Sequence, residues 1–408
     1  MESSLPHFLV VVLGFNRPLS LKRLLASLES VESVACKADL VVSLDGGGDP
    51  ECAGVASGVR WSHGRSEVVV HQNRMGLKTH VETATDRVKD YDAVIVLEDD
   101  LSVSPWMLHY SVEAFRAYRH SNEIAQIALY SYRVDDFSGL PFFPLRGEYD
   151  NWFSRVPSSW GQFYTRAQWQ DYRKWSVEGK PERENARLPV AVDDWKSSWK
   201  RDFFEYVSAS RRWVVYPHVS LTTNHGEPGE NYCDQASDLE VPLELVRRRY
   251  CFSGVSGPFG YYDECFEPDA RSLTESIDTK EEFTVDLWGN KPMETIKTSY
   301  LLSTRICEDP ISRYSTSLFP LEANIRLGVL PDSDLSISFG LTSDFRPESR
   351  ASELALKHLP RGLAHEVWEK GVRDGWAEAE SGLRYRIGDG IVSSASALAD
   401  FLGLRRRR

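Results

Sequence analysis

The sequence predicts an α/β protein built on a mostly parallel sheet, and two patterns indicate this fold class. Val94-Ile95-Val96-Leu97 is a short apolar run rich in β-branched residues, which is typical of a strand buried on both faces. Similar apolar runs occur at 8–13, 39–44 and 67–71, with helical patterns after the first and the third of them. Strands that alternate with helices form a parallel sheet through right-handed crossovers, so their carboxyl ends meet at one edge.

The spacing of apolar residues predicts the helices that connect these strands. A helix beginning near Pro18 is predicted by four leucines at intervals i, i+3, i+4 and i+7: Leu21, Leu24, Leu25 and Leu28. A second helix is predicted by the stripe Val81, Ala84, Thr85 and Val88. Another helix is expected directly after residue 104, because Ser104 suits an N-cap and Pro105 the first turn. A further strand is predicted at 124–130.

Composition indicates a folded, globular protein and argues against several classes. The chain has 408 residues, of which 41% are hydrophobic, so it is long enough for two or three domains. A net charge of −12 argues against a nucleic-acid-binding protein that works by neutralising phosphates. No stretch is apolar for the length of a membrane span, and six cysteines without zinc spacing predict reduced thiols.

The strand at 94–97 ends in three carboxylates, Glu98, Asp99 and Asp100. Carboxylates packed so closely repel one another and are costly to desolvate, and a divalent cation is the simplest remedy. Hard carboxylate oxygens suit Mg²⁺ or Mn²⁺, so the triplet predicts a metal site at the sheet edge that binds ligands. A solvated loop or a helix start is the ordinary alternative for such a triplet.

Other polar residues follow the neighbouring predicted strands and would collect at the same edge. Each alone suits a turn or loop, but together they offer a partner for a nucleotide base and cations for phosphate groups. These residues are Asn16, Arg17, Asp45, Asn73, Arg74 and Lys78. No P-loop and no G-x-G-x-x-G motif is present, which disfavours ATP hydrolysis and NAD chemistry.

Four motifs in order resemble the GT-A glycosyltransferases. They are Leu-Gly-Phe-Asn-Arg-Pro at 13–18, Val-Ser-Leu-Asp-Gly at 42–46, Asn-Arg-Met-Gly-Leu at 73–77 and Val-Leu-Glu-Asp-Asp-Leu at 96–101. The match is to the branch that contains N-acetylglucosaminyltransferase I and bacterial relatives, in which Glu-Asp-Asp replaces Asp-x-Asp. The resemblance covers roughly the first 130 residues.

The resemblance implies a GT-A (Rossmann-like) fold, a nucleoside-diphosphate sugar as donor, with a UDP-sugar favoured, and Mn²⁺ or Mg²⁺ as cofactor. Asp100 would be the direct metal ligand, Asp45 would bind the base, and Arg17 would lie near the nucleotide. Glu98 and Asp99 would contact the sugar and the ribose. The acceptor would be a glycan or a lipid-linked glycan, and transfer would be inverting.

Residues 136–265 resemble the acceptor half of the same family at 158–161 and 212–226. In that family a carboxylate before the proline-containing strand is the general base, and Asp193, Asp194 and Asp202 compete for the role here. Asp202 is favoured slightly by its spacing to Pro217. Many tryptophans crowd this half, and core packing is the favoured explanation for most of them, with stacking on sugars as the alternative. The loop 225–231 is expected to close over the nucleotide.

We therefore expect a donor half at 1–135, an acceptor half at 136–265 and a smaller α+β accessory domain at 266–408. In the last region a strand and turn are predicted at 284–292, a strand at 337–346, helices at 354–376 and 398–404, and a turn at 389–390. The sequence shows no targeting signal, so a cytoplasmic setting is expected, with possible peripheral contact at the inner membrane face. Arg405–Arg408 could touch an anionic membrane surface, although a solvated tail is favoured.

Two other functions remain open from the sequence. A sugar nucleotidyltransferase would also place carboxylates near a diphosphate, but it would carry a glycine-rich basic loop after the first strand, unlike residues 14–18. A non-catalytic glycan-binding protein would need only the tryptophan-rich half. The intact carboxylate triplet favours the glycosyltransferase, with a role in bacterial surface polysaccharide synthesis expected from its class.

Overall fold

The structure is a computed structural model that describes residues 5–195, 198–227, 239–257 and 260–358. The chain divides into two compact units. The first unit comprises Met1–Arg133 and Arg146–Gly260, and the second comprises Val134–Leu145 and Tyr261–Arg408. The short segment 134–145 thus belongs with the C-terminal part of the chain. The predicted division of the first 265 residues into a donor half and an acceptor half stays a prediction.

The first unit is built on a large mixed sheet. Its strands are β1 His7–Gly14, β2 Lys37–Leu44, β3 Ser66–Val70, β4 Ala93–Glu98, β6 Ile124–Ala128, β7 Asn151–Ser154, β8 Gln162–Thr165 and β9 Trp213–Pro217. They follow the order β7-β9-β6-β8-β4-β1-β2-β3. β3, β2, β1 and β4 are parallel neighbours, as are β6 and β9, whereas β8 runs antiparallel between β4 and β6 and β7 runs antiparallel to β9. Two short strands, β5 Leu101–Val103 and β10 Thr222–Asn224, form a separate antiparallel pair.

Helices connect these strands. They are α1 Pro18–Glu29, α2 Glu51–Ser57, α3 Leu77–Thr85, α4 Met107–Tyr118, α5 Arg166–Val177 and α6 Trp199–Ala209. The predicted leucine stripe of α1 is buried. Residues 94–97 of β4 have no exposed surface, which confirms a strand covered on both faces. The predicted α/β class with a mostly parallel central sheet and flanking helices is therefore confirmed.

The second unit has a smaller sheet and short helices. Its strands are β11 Tyr261–Tyr262, β12 Phe283–Asp286, β13 Tyr300–Ser303, β14 Ser312–Tyr314 and β15 Ile337–Leu341, and its helices are α7 Thr274–Ile277, α8 Glu322–Arg326 and α9 Ala351–His358. The four-stranded sheet has the order β12-β13-β15-β14. Its apolar core includes Leu273, Leu302, Ile325 and Leu354. The predicted strand at 337–346 ends at Leu341, and the predicted helix at 354–376 begins earlier, at Ala351.

Several further expectations can be compared with the structure. The helix predicted after residue 104 is present as α4, but it begins at Met107, two residues later than expected, and residues 101–103 before it form β5, which was not predicted. Six tryptophans of the first unit, Trp152, Trp160, Trp169, Trp175, Trp199 and Trp213, are buried, which confirms core packing for most of them. The five cysteines within the described ranges are free thiols. The elements predicted at 389–390 and 398–404, the basic residues 405–408 and the end of the loop 225–231 lie outside the described residues.

None of the helices within the described ranges is long and apolar enough to cross a membrane.

Candidate functional site

The carboxyl ends of four neighbouring parallel strands form the candidate site. In the register of the sheet, Leu13 of β1 lies beside Glu98 of β4, and Gly14 lies beside Leu44 of β2. Leu44 in turn lies beside Val70 of β3. The strands therefore end nearly level, and the polar residues that follow them are delivered to one edge of the sheet.

Glycines allow the loops at this edge to pack closely. A Cβ atom added to Gly46 would lie 2.2 Å from the backbone carbon of Asn73, and one added to Gly48 would lie 2.0 Å from the carbonyl oxygen of Phe15. Both distances are far shorter than a van der Waals contact. The loop after β2 therefore requires glycine at both positions in order to lie against the loops after β3 and β1.

Asp45 joins two of these loops. Its Oδ1 accepts hydrogen bonds from the backbone N–H groups of Gly46 and Met75, both at 2.8 Å, and its Oδ2 accepts one from Gly76 at 3.0 Å. Burial would raise the pKa of Asp45, but these three donors lower it below its ordinary value. The structure thus gives Asp45 a positioning role, and its binding of a nucleotide base stays a prediction.

Arg17 contacts the carboxylate triplet directly. Its guanidinium donates to Asp99 and, at 3.2 Å, to Asp100 Oδ2. Burial alone would lower the pKa of Arg17, but the neighbouring charges of Asp99, Asp100 and Glu98 raise it above its ordinary value. Arg17 is therefore a permanent cation beside the triplet, and its predicted place near a nucleotide stays a prediction.

Three acidic groups with one arginine leave excess negative charge at the end of β4. Burial, with the charges of Asp100 and Asp99, raises the pKa of Glu98 to about 8, and burial raises the pKa of Asp99 to about 6. Asp100 Oδ1 is buried and has no hydrogen-bond partner among the described residues. With a pKa of about 8, Glu98 is mostly protonated near neutral pH, and a cation bound at the unsatisfied Asp100 oxygen would stabilise the charged form of Glu98.

The short pair of strands β5 and β10 carries further polar groups beside the triplet. The His225 backbone N–H donates to the Asp100 carbonyl oxygen at 3.1 Å, and the His225 ring Nε2 lies 2.9 Å from Ser102 Oγ. Two residues later, Glu227 receives two hydrogen bonds from Arg23 at 2.6 and 3.0 Å and one from Ser20. The Arg23 hydrogen bonds lower the pKa of Glu227 to about 2. These bonds anchor the start of the predicted loop 225–231 to α1.

Lys200 is a functional candidate that the sequence analysis missed. It lies on α6, is only 7% exposed, and its Nζ is 5.1 Å from the ring centre of Trp195 and 5.4 Å from that of Trp160. Tyr132 forms a third side of this cage, with its hydroxyl 3.4 Å from Nζ. The Lys200 charge also lowers the pKa of Glu98. A buried ammonium held by aromatic rings thus acts on Glu98.

Asp202, the favoured candidate base, is held by two lysines. Lys78 Nζ donates to its Oδ2, and Lys180 Nζ donates to its Oδ1 at 2.7 Å. Lys180 also bonds Glu205 at 3.0 Å. Burial would raise the pKa of Asp202, but the hydrogen bonds from Lys180 and Lys78 lower it below its ordinary value. In the structure, Lys78 therefore contacts the candidate base. Its predicted contact with a phosphate would require the Lys78 side chain to turn away from Asp202.

The remaining predicted site residues are exposed. Asn16 and Asn73 lie on the surface of the loops after β1 and β3. Arg74 lies over the ring of Phe15, with its guanidinium carbon 4.5 Å from the ring centre. Asp193 and Asp194 lie on an exposed 3₁₀ turn, where Asp193 is 3.7 Å from Arg201. The structure thus brings Arg17 into direct contact with Asp99 and Asp100, and it links Lys78 to Asp202.

Two histidines, His71 and His80, contact Ser43, which lies near the end of β2 and two residues before Asp45. Ser43 Oγ is 2.8 Å from His80 Nε2 and 3.1 Å from His71 Nε2. His80 is 3% exposed, and its burial lowers its pKa to about 4. His80 is therefore a neutral group near neutral pH, and it supports the strand end from within the core.

Known proteins give only distant comparisons. No protein-family model matches the sequence, and no curated protein matches it. Among solved structures, residues 1–349 of S. aureus TarS in complex with UDP-GlcNAc are 13% identical over 55% of this chain and 60% of that one, with a TM-score of 0.38. The mannosyltransferase PcManGT from Pyrobaculum calidifontis, in complex with GDP-Man and Mn²⁺, is 13% identical over 40% of this chain and 45% of that one, with a TM-score of 0.29. The chain thus spans less than two thirds of either protein.

Proposed function

We propose that this protein is a metal-dependent glycosyltransferase of the GT-A type. It would move a sugar from a nucleoside-diphosphate sugar, with a UDP-sugar favoured, to a hydroxyl group of a glycan or a lipid-linked glycan. One observation carries the proposal. The four segments that resemble the family lie at the carboxyl ends of β1, β2, β3 and β4, which are neighbours in the sheet, and in the fourth a buried Asp100 oxygen has no hydrogen-bond partner among the described residues.

The residues at the end of β4 fit a divalent cation. Asp100 would bind Mn²⁺ or Mg²⁺ through Oδ1, which has no hydrogen-bond partner in the part of the chain that the structure describes, because both ions prefer hard oxygen ligands. Within the described ranges, no group of three or more His, Cys, Asp or Glu residues is arranged to hold a metal. The ion would therefore take its other ligands from diphosphate oxygens and water, as Mg²⁺ commonly does. When bound, it would neutralise charge that develops on the leaving diphosphate.

Side chains of the chain itself would complete the donor site. Arg17 would stabilise the diphosphate, since its guanidinium already lies against Asp99 and Asp100. Glu98 and Asp99 would contact the sugar and the ribose, Asp45 would bind the base, and Lys78 would reach a phosphate. Asn16 and Asn73, both exposed on the neighbouring loops, would contact the nucleotide.

The acceptor hydroxyl would lose its proton to a carboxylate, for which Asp202 is the leading candidate and Asp193 and Asp194 are the alternatives. Transfer would be inverting, by a single displacement. If Lys78 turns from Asp202 towards the diphosphate, Asp202 loses one of the two ammonium groups that lower its pKa. Donor binding would in this way raise the proton affinity of the base.

The cellular setting is proposed from the class of reaction. A cytoplasmic enzyme, with possible peripheral contact at the inner membrane face, suits bacterial surface polysaccharide synthesis. The second unit would then act as an accessory domain that influences the choice of acceptor.

A thermal-shift panel of nucleotides on the wild type and on Asp100→Ala, with and without Mn²⁺, tests the proposal. A ligand at one hundred times its dissociation constant stabilises the folded state by roughly 2.7 kcal/mol, which raises the melting temperature by several degrees. We expect a Mn²⁺-dependent increase with UDP or another nucleoside diphosphate that disappears in Asp100→Ala. An increase with nucleoside triphosphates alone would indicate a nucleotidyltransferase, and no increase with any nucleotide would contradict the proposal.

A further inference from the structure

Residues 245–249 form an exposed surface on the first unit that the proposed reaction does not use. Leu245 and Val246 are 67% and 68% exposed, and Arg247, Arg248 and Arg249 follow them and are exposed as well. We call this segment the 245–249 surface. The whole chain carries a net charge of −12, so three consecutive arginines beside two exposed aliphatic side chains set this segment apart from the rest of the sequence.

The backbone of the 245–249 surface is held in place although it has no regular secondary structure. Trp106 Nε1 donates to the Leu245 carbonyl oxygen at 3.3 Å, and His109 Nε2 lies 2.6 Å from the Arg248 carbonyl oxygen. Side chains at the start of α4 thus hold the backbone through its polar groups. The two aliphatic side chains stay in contact with solvent, and water solvates them poorly.

The three arginines differ in how far their charges are compensated. Arg248 pairs with Glu244 at 3.1 Å and with Asp150 at 3.6 Å. Neither Arg247 nor Arg249 forms an ion pair with a residue that the structure describes. Two positive charges therefore remain available to a negatively charged partner.

This combination of charge and apolar surface narrows the partner. Exposed arginines attract any polyanion, but a nucleic acid is bound mainly through its phosphates and polar base edges, which leaves aliphatic side chains without a partner. An anionic lipid bilayer offers phosphate groups to guanidinium groups and an acyl boundary to aliphatic side chains. The half-buried Trp106 beside this surface also suits a membrane interface, where tryptophan is enriched.

We propose that the 245–249 surface docks the protein on a bilayer that contains anionic lipids. Leu245 and Val246 would enter the boundary between headgroups and acyl chains, and Arg247 and Arg249 would bind lipid phosphate groups. The docking itself does not depend on the proposed transferase reaction.

The position of this surface in the fold gives the docking a use. Ser104 Oγ donates to the carbonyl oxygen of Glu244, the residue before the surface. Ser104 lies four residues after Asp100, and four residues of extended chain span at most about 14 Å. A docked protein would therefore hold its carboxylate triplet near the membrane. That this closeness serves a lipid-linked acceptor rests on the proposed function.

Sedimentation of the full chain with lipid vesicles, without any nucleotide, tests the proposal. We expect binding to vesicles of phosphatidylcholine mixed with phosphatidylglycerol, weaker binding to pure phosphatidylcholine, and release at high salt, because salt screens exposed charges. The double variant Leu245→Ser with Val246→Ser should weaken binding to the mixed vesicles by roughly tenfold or more. Arg247→Gln with Arg249→Gln should do the same, since each arginine near the surface contributes about fivefold.

Two matched double variants of the first unit are the controls. Val177→Ser with Val190→Ser removes two other exposed aliphatic side chains, which are 80% and 65% exposed. Lys89→Gln with Lys174→Gln removes two other exposed positive charges. Both controls should bind the vesicles as the wild type does. Thermal unfolding would verify that every variant is folded, which is expected because all the substituted side chains are exposed.

The proposal is overturned if the wild type does not bind the mixed vesicles, or if the controls lose as much binding as the surface variants. It is also overturned if the arginine variant loses binding and the Leu245 and Val246 variant does not, because charge alone would equally fit an acidic protein. Replacement of Arg405–Arg408 by glutamine tests the C-terminal arginines, and a loss of binding in that variant alone would assign the docking to them instead. Because no nucleotide is present, each of these outcomes is distinct from a failure of the nucleotide panel.

Discussion

Lys78 and Asp202 form an ion pair although 124 positions separate them in the chain. Lys78 lies on α3 and Asp202 on α6, and Lys180 holds the other carboxylate oxygen of Asp202 at 2.7 Å. The favoured candidate base thus lies between two ammonium groups. The pKa of Asp202 depends on whether the Lys78 side chain points towards it. The predicted contact of Lys78 with a phosphate is therefore linked to the protonation of the predicted base.

Asp202→Asn should abolish sugar transfer and preserve donor binding. The amide keeps the shape of the carboxylate but cannot accept the acceptor proton, and loss of a general base typically lowers kcat by about 10²- to 10⁴-fold. The measurement is the rate of nucleoside-diphosphate release, together with the melting-temperature increase caused by the donor. Asp193→Asn and Asp194→Asn serve as comparisons, and if one of them lost activity instead, the base would be reassigned to that residue.

Lys200→Met should weaken donor binding by about tenfold, or about 1.4 kcal/mol. The substitution retains the apolar stem within the aromatic cage but removes the positive charge that acts on Glu98. More uncompensated negative charge would then meet the incoming diphosphate. Calorimetric titration with UDP and Mn²⁺ measures the effect, and Lys89→Met, at an exposed position, is the control. Equal affinities in Lys200→Met and the wild type would restrict Lys200 to a packing role.

His80→Gln should make the protein less sensitive to mild acid. Burial lowers the pKa of His80 from 6.5 to about 4, so between these values the unfolded chain gains a proton that the folded protein does not. The stabilising contribution is complete above pH 6.5 and is lost as the pH falls towards 4. Between pH 7 and pH 5 this loss amounts to about 2 kcal/mol of unfolding free energy.

Urea unfolding at the two pH values measures this difference for the wild type and for His80→Gln. The glutamine variant should lose about 2 kcal/mol less than the wild type over this range. His120→Gln removes an exposed histidine and should behave as the wild type does. An identical pH dependence in His80→Gln and the wild type would show that His80 titrates alike in the folded and unfolded states.

Gly46→Ala should destabilise the first unit by about 1–3 kcal/mol and weaken donor binding. The new methyl group would meet the backbone of Asn73 at 2.2 Å, so the loops after β2 and β3 would have to separate. Gly54→Ala is a matched control, because its Cβ would meet nothing within 4 Å and alanine favours the helix α2 by about 0.5–1 kcal/mol. Thermal unfolding measures both variants. Equal stability of Gly46→Ala and the wild type would contradict the close packing of these loops.

Within the first hundred residues the sequence predicted β1 to β4, α1 and α3, because local patterns determine them, but it did not predict α2. β4 is a continuous apolar run, and α1 has a regular leucine stripe, so burial and periodicity lead to the same assignment. The short strand β5 was missed because its partner, β10, lies more than a hundred residues away and no local pattern reveals that pairing.

The candidate site was predictable to a similar degree. Arg17 and Asp100 could be placed together because both follow parallel strands that end at one edge. Lys200 could not be found in this way, since its importance arises from aromatic rings at positions 132, 160 and 195 and from the charge of Glu98. The pairing of Asp202 with two lysines likewise depends on helix packing that sequence spacing does not encode.

The placement of residues 134–145 has a practical consequence for dividing the molecule. Because this segment packs with the second unit, for example Phe142 against Tyr262 and Leu140 with Ala351, the chain passes between the units three times. No single protease cleavage would therefore divide the chain into one fragment for each unit. A gene truncated after residue 260 would encode the first unit together with the apolar segment 134–145, which would lack the residues of the second unit against which it packs. Expression of the first unit alone would accordingly require replacing 134–145 with a short polar linker.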